Sequence, residues 1–252
     1  MDFEKKYTRV DRNDPVSRVV GYLKGGTETV PIVFDKNTCY GFINERLLIL
    51  TRLSPKQKIR GQDIKVKVMQ ADEEPLDVAR EMIKTNCNMV PIGENEKNIF
   101  GYTTSSIVIE ELMKDLKIEY RMGNVAVPVI ILRKKDTLGK AINPLRNFKA
   151  LPVVNDRGKL EGAIDARVII EASVEKERSG LGTYIAEKDS VFNRPVSSFS
   201  SQFSPNCDVR DLPNKKIVDY LQTYGYCFVC KDEKPIGIIT PLRILKYILK
   251  VL

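Results

Sequence analysis

One pattern of apolar and polar positions recurs four times along the chain. Each copy has a helical stretch, an apolar strand, a polar turn, a second strand that ends near a glycine, and a closing apolar helix. The copies lie in the segments VPIVFDKNTCYGFINERLLIL, VPIGENEKNIFGYTTSSIVIEEL, LPVVNDRGKLEGAIDARVIIEA and CFVCKDEKPIGIITPLRILKYIL. Self-similarity at a regular period is typical of repeat architectures. We therefore predict four related structural units.

A proline and a glycine at a nearly constant spacing align the four copies with one another. Three copies have a proline ten residues before a glycine, and the fourth has a phenylalanine nine residues before it: Pro31 and Gly41, Pro91 and Gly101, Pro152 and Gly162, Phe228 and Gly237. Successive copies are 60, 61 and 76 residues apart. The additional residues of the last interval lie in the polar, Ser-rich segment 174–206, which is typical of a connector or surface loop. We expect the glycines to allow a close backbone approach or a bulge.

Helical periodicity is clearest over residues 75–84, where Leu76, Ala79, Met82 and Ile83 are spaced for one face. Equivalent helices are predicted at residues 17–23, 136–145 and 215–224. The sequences DKNT, GENEKN, NDRGK and KDEKP predict hairpin turns. Upstream segments such as PVIILRKKDT predict a leading strand.

The predicted unit is therefore β-α-β-β-α, in an α/β (α+β) fold. We expect four repeats, over residues 1–60, 61–120, 121–178 and 179–252, the last with the polar connector at its start. A single unit of this size would leave one face of its sheet open, so the repeats should pair.

Composition narrows the possible functions. The 252 residues include no His and no Trp, and 41 Lys and Arg against 33 Asp and Glu give a net charge of +8. Without His there is no Ser-His-Asp or Cys-His nucleophile and no HExxH zinc site, so we predict that the protein is not an enzyme. The charged start MDFEKKYTRVDRND lacks the apolar core of a signal peptide, and five cysteines without a disulfide-framework spacing favour a reducing, cytoplasmic setting without a membrane.

The third copy, LPVVNDRGKLEGAID, resembles the cystathionine-β-synthase (CBS) domain. The fourth, IGIITPLRILKYILK, is similar to a repeat of the gamma subunit of AMP-activated protein kinase, and four repeats in one chain also resemble stand-alone archaeal proteins of the family. The resemblance covers nearly the whole chain. It implies two tandem, Bateman-type modules in a regulatory protein that binds AMP, ADP, ATP or S-adenosylmethionine between repeats. It also implies an unknown protein partner, and a homodimer is possible.

The resemblance further implies ligand-binding positions after each repeat glycine. Where the family has a Ser or Thr that touches ribose or phosphate, this chain has Asn44, Thr104, Asp165 and Thr240, with Ser106 as a further candidate hydroxyl. Three residues later the family has an Asp that binds the ribose hydroxyls. Here those positions hold Leu47, Ile107, Val168 and Arg243, so the ribose Asp is absent from all four copies.

Basic residues are the other candidates for a ligand site. Arg46, Arg167 and Arg243 should lie in the first turn of a closing helix, where free N–H groups and the helix dipole favour an anion. Near the third copy we expect further cations to flank a cleft and hold a phosphate chain: Lys134, Lys135, Arg146 and Lys149.

Simpler interpretations stand beside these. Asn44, Thr104, Asp165 and Thr240 are all favoured N-cap residues, so capping alone could explain them. Cys227 and Cys230 form a C-x-x-C without the second pair that a zinc site usually has. The alternative function is a CBS-fold scaffold or nucleic-acid-binding protein without a nucleotide. The net charge and the missing ribose Asp favour it, but no basic motif with interleaved aromatics supports nucleic acid.

Overall fold

The structure is a computed structural model that describes residues 1–24, 30–50, 56–115, 125–174, 191–201, 204–209 and 215–252. Within these residues, twelve strands and eight α-helices follow the order β-α-β-β-α four times. Most of the predicted connector, residues 174–206, lies outside the described residues.

The first two copies have the following elements. The first comprises β1 (Tyr7–Asp11), α1 (Val16–Lys24), β2 (Val30–Asp35), β3 (Thr38–Ile43) and α2 (Glu45–Leu50). The second comprises β4 (Asp63–Lys65), α3 (Pro75–Thr85), β5 (Met89–Asn95), β6 (Asn98–Thr104) and α4 (Ser105–Asp115). Helix α3 confirms the helix predicted over residues 75–84. It begins with a proline at its first turn, where no N–H is needed, and ends at left-handed Asn86.

The third and fourth copies repeat this order. The third comprises β7 (Leu132–Arg133), α5 (Leu138–Ile142), β8 (Ala150–Val154), β9 (Leu160–Asp165) and α6 (Ala166–Val174), with a 3-10 turn at Pro144–Arg146. The fourth comprises β10 (Asn206–Asp208), α7 (Lys215–Tyr224), β11 (Cys227–Lys231), β12 (Lys234–Ile239) and α8 (Pro241–Val251). The predicted helix at residues 136–145 is thus split into α5 and the 3-10 turn.

Each copy builds its sheet in the same way. A leading segment pairs in parallel with the first hairpin strand, as β1 does with β2, β7 with β8 and β10 with β11. In the second copy the leading segment is reduced to a parallel bridge from Met69 to Ile92. The hairpin strands themselves are antiparallel in all four copies.

The outer edge of each hairpin is covered by the segment that leads into the paired copy. In the first pair, β4 covers β3, and Glu4 exchanges two backbone hydrogen bonds with Tyr102 of β6. In the second pair, Ser201 donates to the Ala163 carbonyl, and Val127 exchanges two hydrogen bonds with Ile238 of β12. Each repeat therefore closes the sheet edge of its partner, which confirms the predicted pairing into two tandem modules.

The repeat glycines lie where these backbones cross. A Cβ atom at each glycine would overlap with a carbonyl oxygen of the covering segment, as follows: Gly41 with Ile64, Gly101 with Glu4, Gly162 with Ser201 and Gly237 with Val127. At Gly41 the positive φ of 147° adds a second reason for glycine. The close approach predicted from the sequence is thus present in all four copies.

The chain divides into two compact units. Unit 1 contains Met1–Asn44, Arg52–Tyr120 and Pro241–Leu252, and unit 2 contains Glu45–Thr51 and Arg121–Thr240. In unit 1, α8 packs against α3 and α4; in unit 2, α2 packs against α6 and the 3-10 turn. The closing helices of the first and fourth copies therefore belong to a different unit from their own strands. The repeat boundaries given above stay a prediction.

The side chain of Arg12 stabilises the sheet formed by β1, β2, β3 and β4. Arg12 donates to both carboxylate oxygens of Asp63, at 2.5 and 3.3 Å, and to Asp35 at 3.2 Å. Its guanidinium also lies 3.7 Å from the centre of the Tyr40 ring. The side chain of Asp63 is only 2% exposed, so its charge depends on Arg12 for compensation. Through these contacts Arg12, which directly follows β1, joins all four strands of this sheet.

Replacing Arg12 should therefore weaken the fold. We expect R12M to lower the free energy of unfolding by roughly 1.5–3 kcal/mol, the range for hydrogen bonds to a charged group, because Asp63 would remain buried without its partner. The matched control is R80M, which removes an exposed pair with Asp77 on α3 and should change little. Urea unfolding followed by circular dichroism measures both. Equal midpoints for R12M and the wild type would contradict a stabilising role.

Two glycine variants should have opposite effects. G101A adds a Cβ that meets the Glu4 backbone, and overpacking of this kind costs about 1–3 kcal/mol. Gly21 lies in α1 with nothing within 4 Å of a Cβ, so G21A should stabilise the helix by up to about 1 kcal/mol. Thermal unfolding of the two variants tests the crossing, and a stabilised G101A would disprove it.

Candidate functional site

Each closing helix begins directly after the last hairpin strand, which fixes the position of its first-turn side chains. Arg46 is the second residue of α2, Arg167 is the second residue of α6, and Arg243 is the third residue of α8. All three arginines therefore lie in a first helical turn, as predicted. Their surroundings differ, because α2 and α6 belong to unit 2 and α8 belongs to unit 1.

Two of the predicted polar residues cap their helices. Asp165 accepts a hydrogen bond from the Val168 N–H at 3.1 Å, and Thr104 accepts one from the Ile107 N–H at 3.4 Å. Both bonds run from the residue before the helix to the third helical N–H, which is the geometry of an N-cap. The capping interpretation is thus confirmed at these two positions.

The carboxylate of Glu45 forms ion pairs with two cationic side chains in unit 2. One oxygen lies 3.2 Å from Lys149 Nζ, and the other lies 3.6 Å from Arg167 Nε. The side chains of Glu45 and Lys149 are 20% and 25% exposed, whereas that of Arg167 is 61% exposed. Arg46 follows Glu45 in α2 and interacts with its charge. We call these four residues the Glu45 cluster.

In the Glu45 cluster, burial and neighbouring charges have opposite effects on the pKa values of Glu45 and Arg46. Burial disfavours the charged form of Glu45, but Lys149 and Arg167 outweigh it and keep the pKa of the carboxyl below its usual value. Burial lowers the pKa of Arg46, against the opposing effect of Glu45. Lys149 and Arg167 thus share the single carboxylate of Glu45.

Tyr226 is a buried aromatic residue whose chain neighbour lies near Lys149. Burial, reinforced by the negative charge of Asp165, raises the pKa of the Tyr226 hydroxyl. The Tyr226 ring packs against Phe228 with 5.2 Å between ring centres, in a core that half-buried Phe148 also joins. A Cβ at the preceding Gly225 would lie 3.5 Å from Lys149 Cε.

Comparison with known proteins identifies a CBS domain within the chain. The CBS domain family model matches residues 122–175. This segment is a CBS domain. A solved structure from Methanocaldococcus jannaschii, described as a proposed archaeal homologue of g-AMPK, is similar with a TM-score of 0.78 and 17% identity, and the match covers 97% of each chain. These values establish a shared fold.

A second structure supports the same fold. An uncharacterized conserved protein from Pyrococcus horikoshii matches with a TM-score of 0.59 and 16% identity, over 97% of this chain and 96% of that one. No curated protein matches the sequence at a significant level. The CBS domain at residues 122–175 and the predicted fold of paired repeats are therefore confirmed, whereas the residues that bind a ligand stay a prediction.

The remaining predicted site residues are dispersed in this CBS fold. Lys134 forms an ion pair with Glu161, and Lys135 is exposed. Thr240 is half-buried and precedes α8. Four others belong to unit 1: Asn44, Thr104, Ser106 and Arg243. Of the predicted residues, the structure thus brings Lys149 and Arg167 to the carboxylate of Glu45, which Arg46 follows in α2.

Unit 1 holds a further polar position. The Asn44 N–H donates to the Gln62 carbonyl at 2.8 Å. The side chain of Gln62 is buried, and its Oε1 accepts no hydrogen bond from any residue that the structure describes. Asn44 lies three residues after the repeat glycine Gly41. The buried acceptor next to it is a candidate ligand-binding group that the sequence did not indicate.

Sequence reasoning also missed Glu45 and Tyr226. Glu45 stands next to two predicted residues, and an acidic residue in a first helical turn is a visible signal. Its partners, however, lie 104 and 122 positions away, which no local pattern in one sequence reveals.

The C-x-x-C motif has a structural setting. Cys227 and Cys230 are buried free thiols on β11. A hydrogen bond with Cys207 and burial raise the pKa of Cys227, and burial raises that of Cys230 to about 12. Such thiols resist forming the thiolate that binds metals or reacts. Among the described residues there is no group of three or more Cys, Asp or Glu arranged to hold a metal.

Hydropathy gives no candidate for a membrane span. Within the described ranges, no helix combines the length and the apolar character that crossing a bilayer requires.

The cap at Asp165 can be tested directly. D165A should lower the free energy of unfolding by about 0.5–2 kcal/mol, because the Val168 N–H loses its acceptor. D165S keeps an acceptor and should retain most of the wild-type stability. Thermal unfolding of the two variants distinguishes a cap from a residue that serves only a ligand, and equal losses for Ala and Ser would argue against the cap.

Proposed function

We propose that this CBS-domain protein is a non-enzymatic regulator that binds an adenine nucleotide or related adenosyl ligand in unit 2 and signals to a protein partner. CBS domains are commonly regulatory and ligand-binding. The observation that carries the proposal is the Glu45 cluster, in which Lys149 and Arg167 share a single carboxylate. A phosphorylated ligand would balance the remaining positive charge.

The geometry of the cluster supports a phosphoryl group. Lys149 and Arg167 direct their nitrogens to two different oxygens of one carboxylate. Donors with this separation can also serve two oxygens of a phosphoryl group through charge-assisted hydrogen bonds.

A partly exposed aromatic side chain supports a base or similar flat group. Half-buried Phe148 directly precedes Lys149 in the chain. Val168, in contrast, offers no acceptor at the position of the family's ribose Asp. The ligand would therefore be held through its phosphoryl group and its base rather than through the ribose hydroxyls.

Signalling would require two conformations with different affinities for the ligand. The partner would recognise one of them. A cytoplasmic location belongs to the same proposal, because all five cysteines are buried free thiols, as expected in a reducing compartment.

Calorimetric titration with AMP, ADP, ATP and S-adenosylmethionine tests the proposal. We expect the phosphorylated ligands to bind, and R167M to weaken their binding at least about tenfold, since one charge-assisted hydrogen bond is lost. R157M is the control: it removes the same charge from an exposed turn and should bind like the wild type. Absence of binding for all four ligands at millimolar concentration would contradict the proposed function.

A further inference from the structure

Glu45 makes contacts that an anionic ligand would need. Its two carboxylate oxygens are divided between Lys149 Nζ, at 3.2 Å, and Arg167 Nε, at 3.6 Å. A phosphoryl oxygen placed against these nitrogens would lie where the carboxylate oxygens already are. The ligand-free protein thus carries its own anion at the cationic site.

The same side chain fastens helix α2 within unit 2. Helix α2 packs against α6, which carries Arg167, and against the 3-10 turn that precedes Lys149 in the chain. Leu48 and Ile49 of α2 are buried, so apolar packing and the ion pairs hold the same short helix. With only six residues, α2 depends on such tertiary contacts for its stability.

The Glu45 carboxylate and a phosphoryl group cannot both pair fully with Lys149 and Arg167. A phosphoryl group near neutral pH carries up to two negative charges, and like charges at contact distance repel. A mostly buried carboxylate that loses its cations retains its desolvation cost. Glu45 would therefore leave its position when a phosphoryl group arrives, and α2 would lose one of its attachments.

We propose that Glu45 is an internal competitor for the ligand, so that phosphoryl binding to Lys149 and Arg167 releases Glu45 and loosens α2. The inference rests on the proposed function, because it takes the ligand's phosphoryl group as the competing anion. By linkage, whatever favours the released state of α2 also raises the affinity for the ligand by the same factor.

The experiment compares wild type, E45Q and E171Q. Glu171 is exposed on α6, one helical turn from Arg167, so E171Q changes the net charge equally and removes at most a weak, exposed i,i+4 interaction. AMP and inorganic phosphate are titrated by calorimetry at fixed ionic strength. We expect E45Q to bind both about tenfold more tightly than wild type, within the ~5–150-fold range of ordinary couplings, and E171Q to stay within about twofold of wild type.

Hydrogen exchange provides a second measurement that needs no variant. In the wild type, AMP or phosphate should speed amide exchange in residues 45–50, because the ligand removes an attachment of α2. In E45Q, exchange of these residues should be fast before any ligand is added. Slower exchange in ligand-bound wild type would overturn the inference even if E45Q failed to fold.

The outcomes separate the two proposals. AMP binding of equal strength to wild type and E45Q would overturn the competition and leave the proposed function standing. If AMP, ADP, ATP and S-adenosylmethionine all fail to bind but phosphate binds E45Q more tightly than E171Q, the competition stands and the adenine-nucleotide function fails. If neither phosphate nor any of these four ligands binds any of the three proteins, both proposals are overturned.

Discussion

The fold depends on the crossing of backbones at the ends of the hairpins. A strand from the paired copy covers each sheet edge so closely that a Cβ at Gly41 or Gly101 would overlap with a carbonyl oxygen. Because the covering segment always comes from the partner, no copy completes its sheet alone. The crossing also fixes where each hairpin ends, and with it the start of the closing helix. The first-turn arginines and the capping side chains owe their positions to this single constraint.

Charged side chains serve different purposes in the two units because their burial differs. In unit 1, Arg12 and Asp63 are 13% and 2% exposed, and two carboxylates surround the one guanidinium. The two carboxylates balance the positive charge of Arg12, so this group would not attract a further anion. In unit 2, Glu45 is outnumbered by its cations, and Arg167 remains 61% exposed. The ion pairs of Arg12 hold strands together. The ion pairs of Glu45, in contrast, leave Arg167 accessible to solvent and leave positive charge that one carboxylate does not balance.

Local features could be predicted from the sequence. The turns, the helix at residues 75–84 and the caps at Thr104 and Asp165 depend on residues close in the chain, and the structure confirms them. Features that depend on distant packing could not. The contact of Glu45 with Lys149 joins residues 104 positions apart. The membership of α2 in unit 2 and of α8 in unit 1 likewise follows from which apolar faces fit together, a property of the assembled fold.

The place of α8 in unit 1 has a consequence for the order of events during translation. The surfaces of α3 and α4 that α8 covers are made first, and the covering residues Ile244, Leu245 and Ile248 follow about 120 residues later. At ordinary synthesis speeds that delay lasts roughly 6–24 seconds. Until then the nascent chain displays an uncovered apolar surface, which is the kind of surface that chaperones bind. Helices α3 and α4 therefore cannot acquire their final packing before α8 leaves the ribosome.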